Sequence, residues 1–210
     1  MKEIVIFGAG GLGKEVLELI REINKKSDLW SVVGFFDDYL PKGSLVNGIS
    51  VLGGLDDLLC SPIKNVVVAL GDSKVRSQII NSLNGLKHLP KIVHPTAVLP
   101  EGTLSLGKGV IVGANVFVSV NTSIGDGVLL NVGCSIGHDV EIGNFCTINP
   151  GARVSGNVII RNFVFIGVGA ILNNKIVIVD EVRIGAGSVV LKSVDKKSTL
   201  FGNPARIMIE

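Results

Sequence analysis

From about residue 96 the sequence keeps a period of six without an insertion, and few folds accommodate so short and so strict a repeat. Every sixth residue from Leu106 through Val112, Val118, Ile124, Leu130, Ile136 and Ile142 to Val190 is Leu, Ile or Val. The residue after it is often glycine, as at Gly107, Gly113, Gly125, Gly137, Gly143, Gly167 and Gly185. Two residues before it lies a second small or apolar position, among them Val110, Val116, Thr122, Val128, Cys134, Val140 and Cys146. Neither a helical period of 3.6 nor plain strand alternation accounts for this spacing. A hexapeptide β-helix does, because short parallel strands then meet at tight corners while the aliphatic side chains stack along the axis. Three hexads make a triangular coil, so residues 96–191 are expected to wind into about five coils with no helix among them. Cys134 and Cys146 fall in inward slots and read as small core residues.

The first ninety residues follow a different rule. "EIVIFGAG" is a buried strand ending in glycines, and the amphipathic "KEVLELIREINKK" behind it reads as a helix. "WSVVGFFDD" and "NVVVALGD" read as two more strands, the latter leading into a helix at "KVRSQIINSLNG". Strands alternating with helices predict a small parallel α/β unit, about half of a full dinucleotide-binding fold. The expected organisation is a Rossmann-like domain over residues 1–93 and a β-helix domain over 94–210. His94-Pro95 reads as a packing element at the junction. At the far end "FGNPARIMIE" leaves the repeat, and a turn at Gly202, Asn203 and Pro204 followed by an apolar segment would cap the open stack, as terminal repeats require.

Composition narrows the function. With 20 basic and 18 acidic residues the net charge is +2, too even for nucleic acid as the main ligand. Mean hydropathy is high at +0.53, yet no apolar run reaches the ~18 residues a membrane helix needs. The N-terminal "KEIVIFG" has no signal-peptide pattern. Cys60, Cys134 and Cys146 are odd in number and lack metal-ligand spacing. A cytoplasmic location is the expectation.

Two places carry chemistry. "GAGGLG" sets Gly8, Gly10 and Gly13 between a strand and a helix, so that backbone can approach a phosphate whose charge the helix N-terminus stabilises. The alternative is a tight strand–helix turn with no ligand. Asp37 and Asp38 close the second strand, near where a ribose-binding acid is expected. NAD would follow, but half of the dinucleotide fold is missing, and a nucleotide diphosphate with a smaller appendage fits better. Gly71 would line the same crevice; Arg76, one turn into the next helix, faces either the ligand or solvent. In the repeat, "NVGCSIGHDVEIG" places His138 beside Asp139 at a corner. A carboxylate on one ring nitrogen fixes the imidazole tautomer, as a general base requires. One coil on, Gly156 leaves room for a ligand and offers a backbone N–H to a developing oxyanion. As the single histidine of the repeat, His138 cannot form the three-histidine metal site of the β-helix carbonic anhydrases.

With these pieces in place, "FGAGGLGKEV", "FFDD", "ALGDSKVR", "HPTA", "NVGCSIGHDVEIG", "PGARVSGNV" and "GNPAR" resemble the bacterial hexapeptide-repeat acyltransferases that acetylate nucleotide-linked amino sugars, a family that includes sialic acid O-acetyltransferases. The resemblance covers nearly the whole chain. It implies a left-handed β-helix, acetyl-CoA as co-substrate, no metal, and a homotrimer. It also implies that His138 is the base, Asp139 its acidic partner, Asn131 a polar contact to the acceptor, and Gly156 the amide that meets the acetyl carbonyl. Gly8, Gly10, Gly13, Asp37, Asp38, Gly71 and Arg76 would hold the nucleotide sugar, and coenzyme A would lie near Gly167, Gly185 and "GNPAR". Asn131 and His138 occupy successive corners, roughly 15–20 Å apart within one chain, so both could touch one acceptor only from different subunits. Leu12 and Thr147 depart from the family pattern; Thr147 stands where some members carry a second substrate-contacting histidine. A sugar O-acetyltransferase, a non-catalytic nucleotide-sugar sensor and an NAD-dependent enzyme are the competing expectations.

Overall fold

The computed structural model describes residues 1–208. The chain divides into two compact units, residues 1–95 and 96–210.

In the first unit β1 (Lys2–Phe7) is central, with β2 (Trp30–Phe36) and β5 (Asn65–Val68) parallel on either side of it. Helix α1 (Gly11–Asn24) buries Val16, Leu17, Leu19, Ile20 and Ile23, the i, i+3, i+4 stripe that faces a core. Helix α3 (Ser73–Leu83) begins at Asp72, whose carboxylate caps the N–H groups of Lys74 and Val75. Two elements between β2 and β5 were not anticipated from the sequence. One is a hairpin of β3 (Leu45–Val46) and β4 (Ile49–Ser50), closed by Asn47 and Gly48 with φ of 47° and 81°. That Asn-Gly pair is a strong hairpin signal. The other is the short helix α2 (Leu55–Cys60), too short to announce itself by period.

The second unit is a left-handed parallel β-helix. Its strands are two or three residues long and pair with the residue one coil away, so that Ser135 lies between Phe117 and Arg153, and Leu130 between Val112 and Ile148. One face runs from Leu104–Leu106 to Val177–Ile178, a second from Ile111–Val112 to Thr199–Phe201, and a third from Phe117–Val118 to Val189–Val190. Val112, Leu130, Ile136, Ile148, Ile166 and Leu172 are fully buried, as are Cys134 and Cys146. Each such aliphatic contributes roughly 1.5–3 kcal/mol by leaving water. Corners turn through one left-handed residue each, with φ of 55–67°, which explains the Gly, Asn and Asp at those slots. The final strand, Arg206–Ile207, folds back antiparallel on Thr199–Phe201 past a cis Asn203–Pro204 bond and pairs with the edge of that strand, while Ile207 and Met208 stay exposed.

Candidate active site

Two clusters of the expected residues assemble, one in each unit. In the first unit Gly8 stands where an added Cβ would lie 2.7 Å from the carbonyl oxygen of Ala69, and at Gly13 it would lie 2.0 Å from the carbonyl oxygen of Gly8. These two glycines let strand, loop and helix close on one another. Gly10 and Gly71, by contrast, have nothing within 4 Å of a Cβ position. Helix α1 has no capping side chain and no acid in its first turn, so no side chain of the chain itself offsets the positive end of its dipole.

The acids beside this loop already have backbone partners. Asp37 accepts the Ala9 N–H at 2.8 Å through one oxygen and those of Tyr39 and Leu40 through the other. Asp38 accepts the Leu55 N–H at 2.7 Å. Arg76 is neither solvated nor aimed outward: it is 1% exposed and donates to the carbonyls of Leu70 and Gly71 at 2.6 and 3.1 Å. It braces the loop after β5 from behind, because a buried guanidinium must spend its donors on fixed acceptors.

In the β-helix, the corner after each third-face strand carries the column Val120, His138, Gly156 and Asn174. His138 and Asp139 are half exposed, and Nδ1 of the ring lies 2.7 Å from a carboxylate oxygen of Asp139. An ionised carboxylate can only accept, so Nδ1 carries a proton, and in the neutral ring Nε2 is the nitrogen left with a lone pair. Asp139 occupies the left-handed slot, with φ of 55°, so local backbone preference and chemistry select the same residue. The hydrogen bond from His138, and after it one from Asn121 at 3.1 Å, hold the Asp139 carboxyl below its ordinary range. Sequence reading passed over Asn121. Its signal was available: it lies one coil before Asp139 in the same slot.

The imidazole rests on Gly156. A Cβ there would meet Nε2 at 2.5 Å and Cε1 at 2.7 Å. Among the described residues the Gly156 N–H finds no acceptor. The corner after the first face is built differently: Asp126, Asn144, Asn162 and Asp180 each cap the amide one coil below, at 2.7–2.8 Å. That ladder consumes the same amide that Gly156 leaves open beside the imidazole. An unpaired N–H next to an imidazole lone pair is the arrangement acyl transfer requires: a proton acceptor and an oxyanion donor a few ångströms apart.

The remaining expected residues lie elsewhere. Asn131 sits at the preceding corner of the same coil, its side-chain oxygen accepting the Val132 N–H at 2.8 Å. Thr147, expected at the substrate, is 3% exposed in a second-face strand and lies buried between Leu129 and Phe165. Gly167 and Gly185 have packing reasons: a Cβ would press on the Ala186 amide at 2.6 Å and on the Phe201 ring at 2.0 Å. A groove between Leu191, Lys192, Pro204 and Arg206 lies at the C-terminal end of the β-helix, and neither glycine lines it. Among the described residues no cluster of His, Cys, Asp or Glu could hold a metal ion, and no helix is long and apolar enough to cross a membrane.

Comparison with known proteins agrees with this architecture. Residues 3–83 match the PglD N-terminal domain, and residues 121–156 match the bacterial transferase hexapeptide family. A GDP-perosamine N-acetyltransferase of Escherichia coli O157:H7 is 35% identical over 121 residues, 56% of this chain. That match spans 53% of the relative, about half its length. Among solved structures, the acetyltransferase domain of PglB from Neisseria gonorrhoeae is 31% identical, with 99% of this chain and 100% of that one covered at a TM-score of 0.90. A histidine-to-asparagine mutant of the perosamine N-acetyltransferase from Caulobacter crescentus, in complex with CoA and GDP-perosamine, is 28% identical, with 100% and 98% covered at 0.92. WeeI from Acinetobacter baumannii is 31% identical, with 99% and 100% covered at 0.88. By sequence and fold over its whole length, the chain belongs to the hexapeptide-repeat acetyltransferases that carry a PglD-type N-terminal domain.

Proposed function

We propose that the protein transfers the acetyl group of acetyl-CoA directly to the amino group of a nucleotide-linked amino sugar, with His138 as general base. The observation that carries this reading is the Nδ1-protonated imidazole seated on Gly156, whose amide is open. The amine nitrogen attacks the thioester carbonyl and the carbon–nitrogen bond forms. Nε2 of His138 takes the amine proton, and Asp139 stabilises the resulting imidazolium. The Gly156 N–H meets the oxyanion. The carbon–sulfur bond then breaks, and the thiolate leaves, taking up a proton as free CoA. A base in this position contributes about 10²–10⁴-fold.

The open N-terminus of α1, with Gly10 and Gly71, supports a diphosphate next to the first unit. Lys192 and Arg206 beside the terminal groove would meet the phosphates of coenzyme A. In a single chain the His138–Asp139 pair is half exposed, and Phe117, Val120 and Ile171 expose 40–48% of their surface on the adjoining face and corner. A homotrimer would cover these groups and bring the Asn131 of one subunit towards the His138 of another. A cytoplasmic site is consistent with substrates of this kind.

The test offers purified protein acetyl-CoA with GDP-perosamine and other nucleotide-linked amino sugars and, separately, free sialic acid, and follows thiol release. Acetylation of an amino sugar that His138→Ala abolishes supports the reading. Acetylation of sialic acid alone overturns it in favour of O-acetyl transfer, and near-wild-type turnover in His138→Ala removes the base.

A further inference from the structure

The carboxylate of Asp139 has two donors, and one of them lies outside the acid–imidazole pair. Its first oxygen receives His138 Nδ1 at 2.7 Å, and its second receives Asn121 Nδ2 at 3.1 Å. We infer that Asn121 is a positioning residue for acetyl transfer, holding the plane of the Asp139 carboxylate so that His138 keeps its proton on Nδ1. The inference rests on the reading of His138 as the base.

Backbone preference alone does not account for this contact. Asn121 and Asp139 occupy equivalent left-handed slots in adjacent coils, with φ of 56° and 55°, and asparagine suits such a slot whatever its side chain does. Asn115 and Asn157 fill equivalent slots with φ of 55° and 59°. Among the described residues, neither of their side chains makes a hydrogen bond, whereas that of Asn121 turns its amide onto Asp139.

Geometry explains why a second donor matters. The terminal torsion of an aspartate is broad, so a single bond to one oxygen lets the carboxylate swing. A donor on each oxygen fixes the plane. The Asp139 side chain is 45% exposed and no core packing immobilises it. If the carboxylate swings away, the ring is free to move its proton to Nε2. The nitrogen seated over Gly156 then has no lone pair, and the acceptor amine has no base. The consequence falls on turnover, and binding of acetyl-CoA is left alone.

The test compares Asn121→Gly, which keeps the left-handed backbone and deletes the donor, with Asn121→Asp, which keeps the shape and replaces the donor by an acceptor. Each is made in the wild-type and in the Asp139→Gly background. Steady-state kinetics use acetyl-CoA and GDP-perosamine. Both variants are expected to lower kcat by about 10-fold, the size of one hydrogen bond to a charged group, with KM for acetyl-CoA unchanged. In the Asp139→Gly background the same changes should cost nothing further, because residues acting through one another are not additive. ¹⁵N NMR of the imidazole should report Nδ1–H in the wild type and a shift towards Nε2–H in Asn121→Gly. Equal losses in both backgrounds, unchanged kcat, or an unaltered imidazole tautomer overturns the inference. If the wild type does not accept GDP-perosamine, that substrate fails, while the NMR comparison still decides the role of Asn121.

Discussion

Replacing Gly156 by alanine should separate catalysis from folding more sharply than removing the base itself. A Cβ at this position would lie 2.5 Å from Nε2, 2.7 Å from Cε1 and 3.0 Å from Cδ2 of His138, where ordinary contact begins near 3.4 Å. The ring edge must therefore retreat by about 0.9 Å, and a displacement of ~1 Å at a reacting group costs on the order of 10²-fold in rate. The obstructing atoms belong to a side chain that is 57% exposed and can move without disturbing the core. Nor is the backbone strained, since φ of Gly156 lies outside the left-handed region. Exchanging Gly for Ala at such a site stabilises a protein by roughly 0.4–1 kcal/mol through the unfolded chain. Gly156→Ala is thus expected to lose ~10²-fold in kcat with an unchanged or slightly raised Tm. Thiol release gives the first quantity and a melting curve the second. Near-wild-type turnover would refute the reasoning, because it would mean that the seat of the ring on Gly156 has no part in the reaction. A loss of activity accompanied by a large drop in Tm would refute it equally, by placing the effect in the fold.

Three further outcomes follow from other parts of the molecule. Gly13→Ala sets a Cβ 2.0 Å from a backbone oxygen that cannot step aside, so overpacking should cost roughly 1–3 kcal/mol; Trp30, the single tryptophan, is buried in β2 and reports unfolding of that unit by fluorescence. Asp72→Ala should cost about 1 kcal/mol at neutral pH through loss of the α3 cap. The hydrogen bond from the Val75 N–H, reinforced by that of Lys74, lowers the Asp72 pKa. Stability from a lowered carboxyl is complete above its unfolded value and lost as pH falls through the folded one, so the Asp72→Ala penalty should vanish in acid, as paired urea titrations at neutral and acid pH would reveal. Burial pushes the Cys134 thiol up to about 12 and encloses Cys146 fully, while Cys60 is exposed; a thiol reagent at mild alkaline pH should therefore modify Cys60 alone until the protein unfolds, and fast labelling of all three would contradict the inward register.

How much of this was legible in advance depended on the range of the interactions involved. The β-helix could be read because one local rule repeats: an aliphatic every sixth residue, with Gly, Asn or Asp at most of the left-handed corner slots, although Phe145, Phe163, Lys175 and Glu181 fill four of them. His138, Asp139 and Gly156 were found for the same reason, since adding 18 to a residue number names its neighbour in the next coil. In the first unit the strand–glycine–helix pattern marked the phosphate-ready loop, again a local signal. Elsewhere local signals were insufficient. Whether Arg76 faces solvent or is buried depends on the loop of Leu70 and Gly71 folding over its guanidinium. Thr147 stands at an outward position of its strand, and only the folded chain determines that it is covered. Asp37 looked like a free ribose-binding acid until the fold brought the Ala9 amide to it, 28 residues away in sequence. Asn121 became a partner of Asp139 only once coils stacked in register and one side-chain amide turned to meet a carboxylate. Periodicity is a property of neighbours along the chain, so sequence alone determined the scaffold and the corner column that carries His138 and Gly156. Burial and the pairing of polar groups depend on what the fold brings from a distance, and those only the tertiary structure could decide.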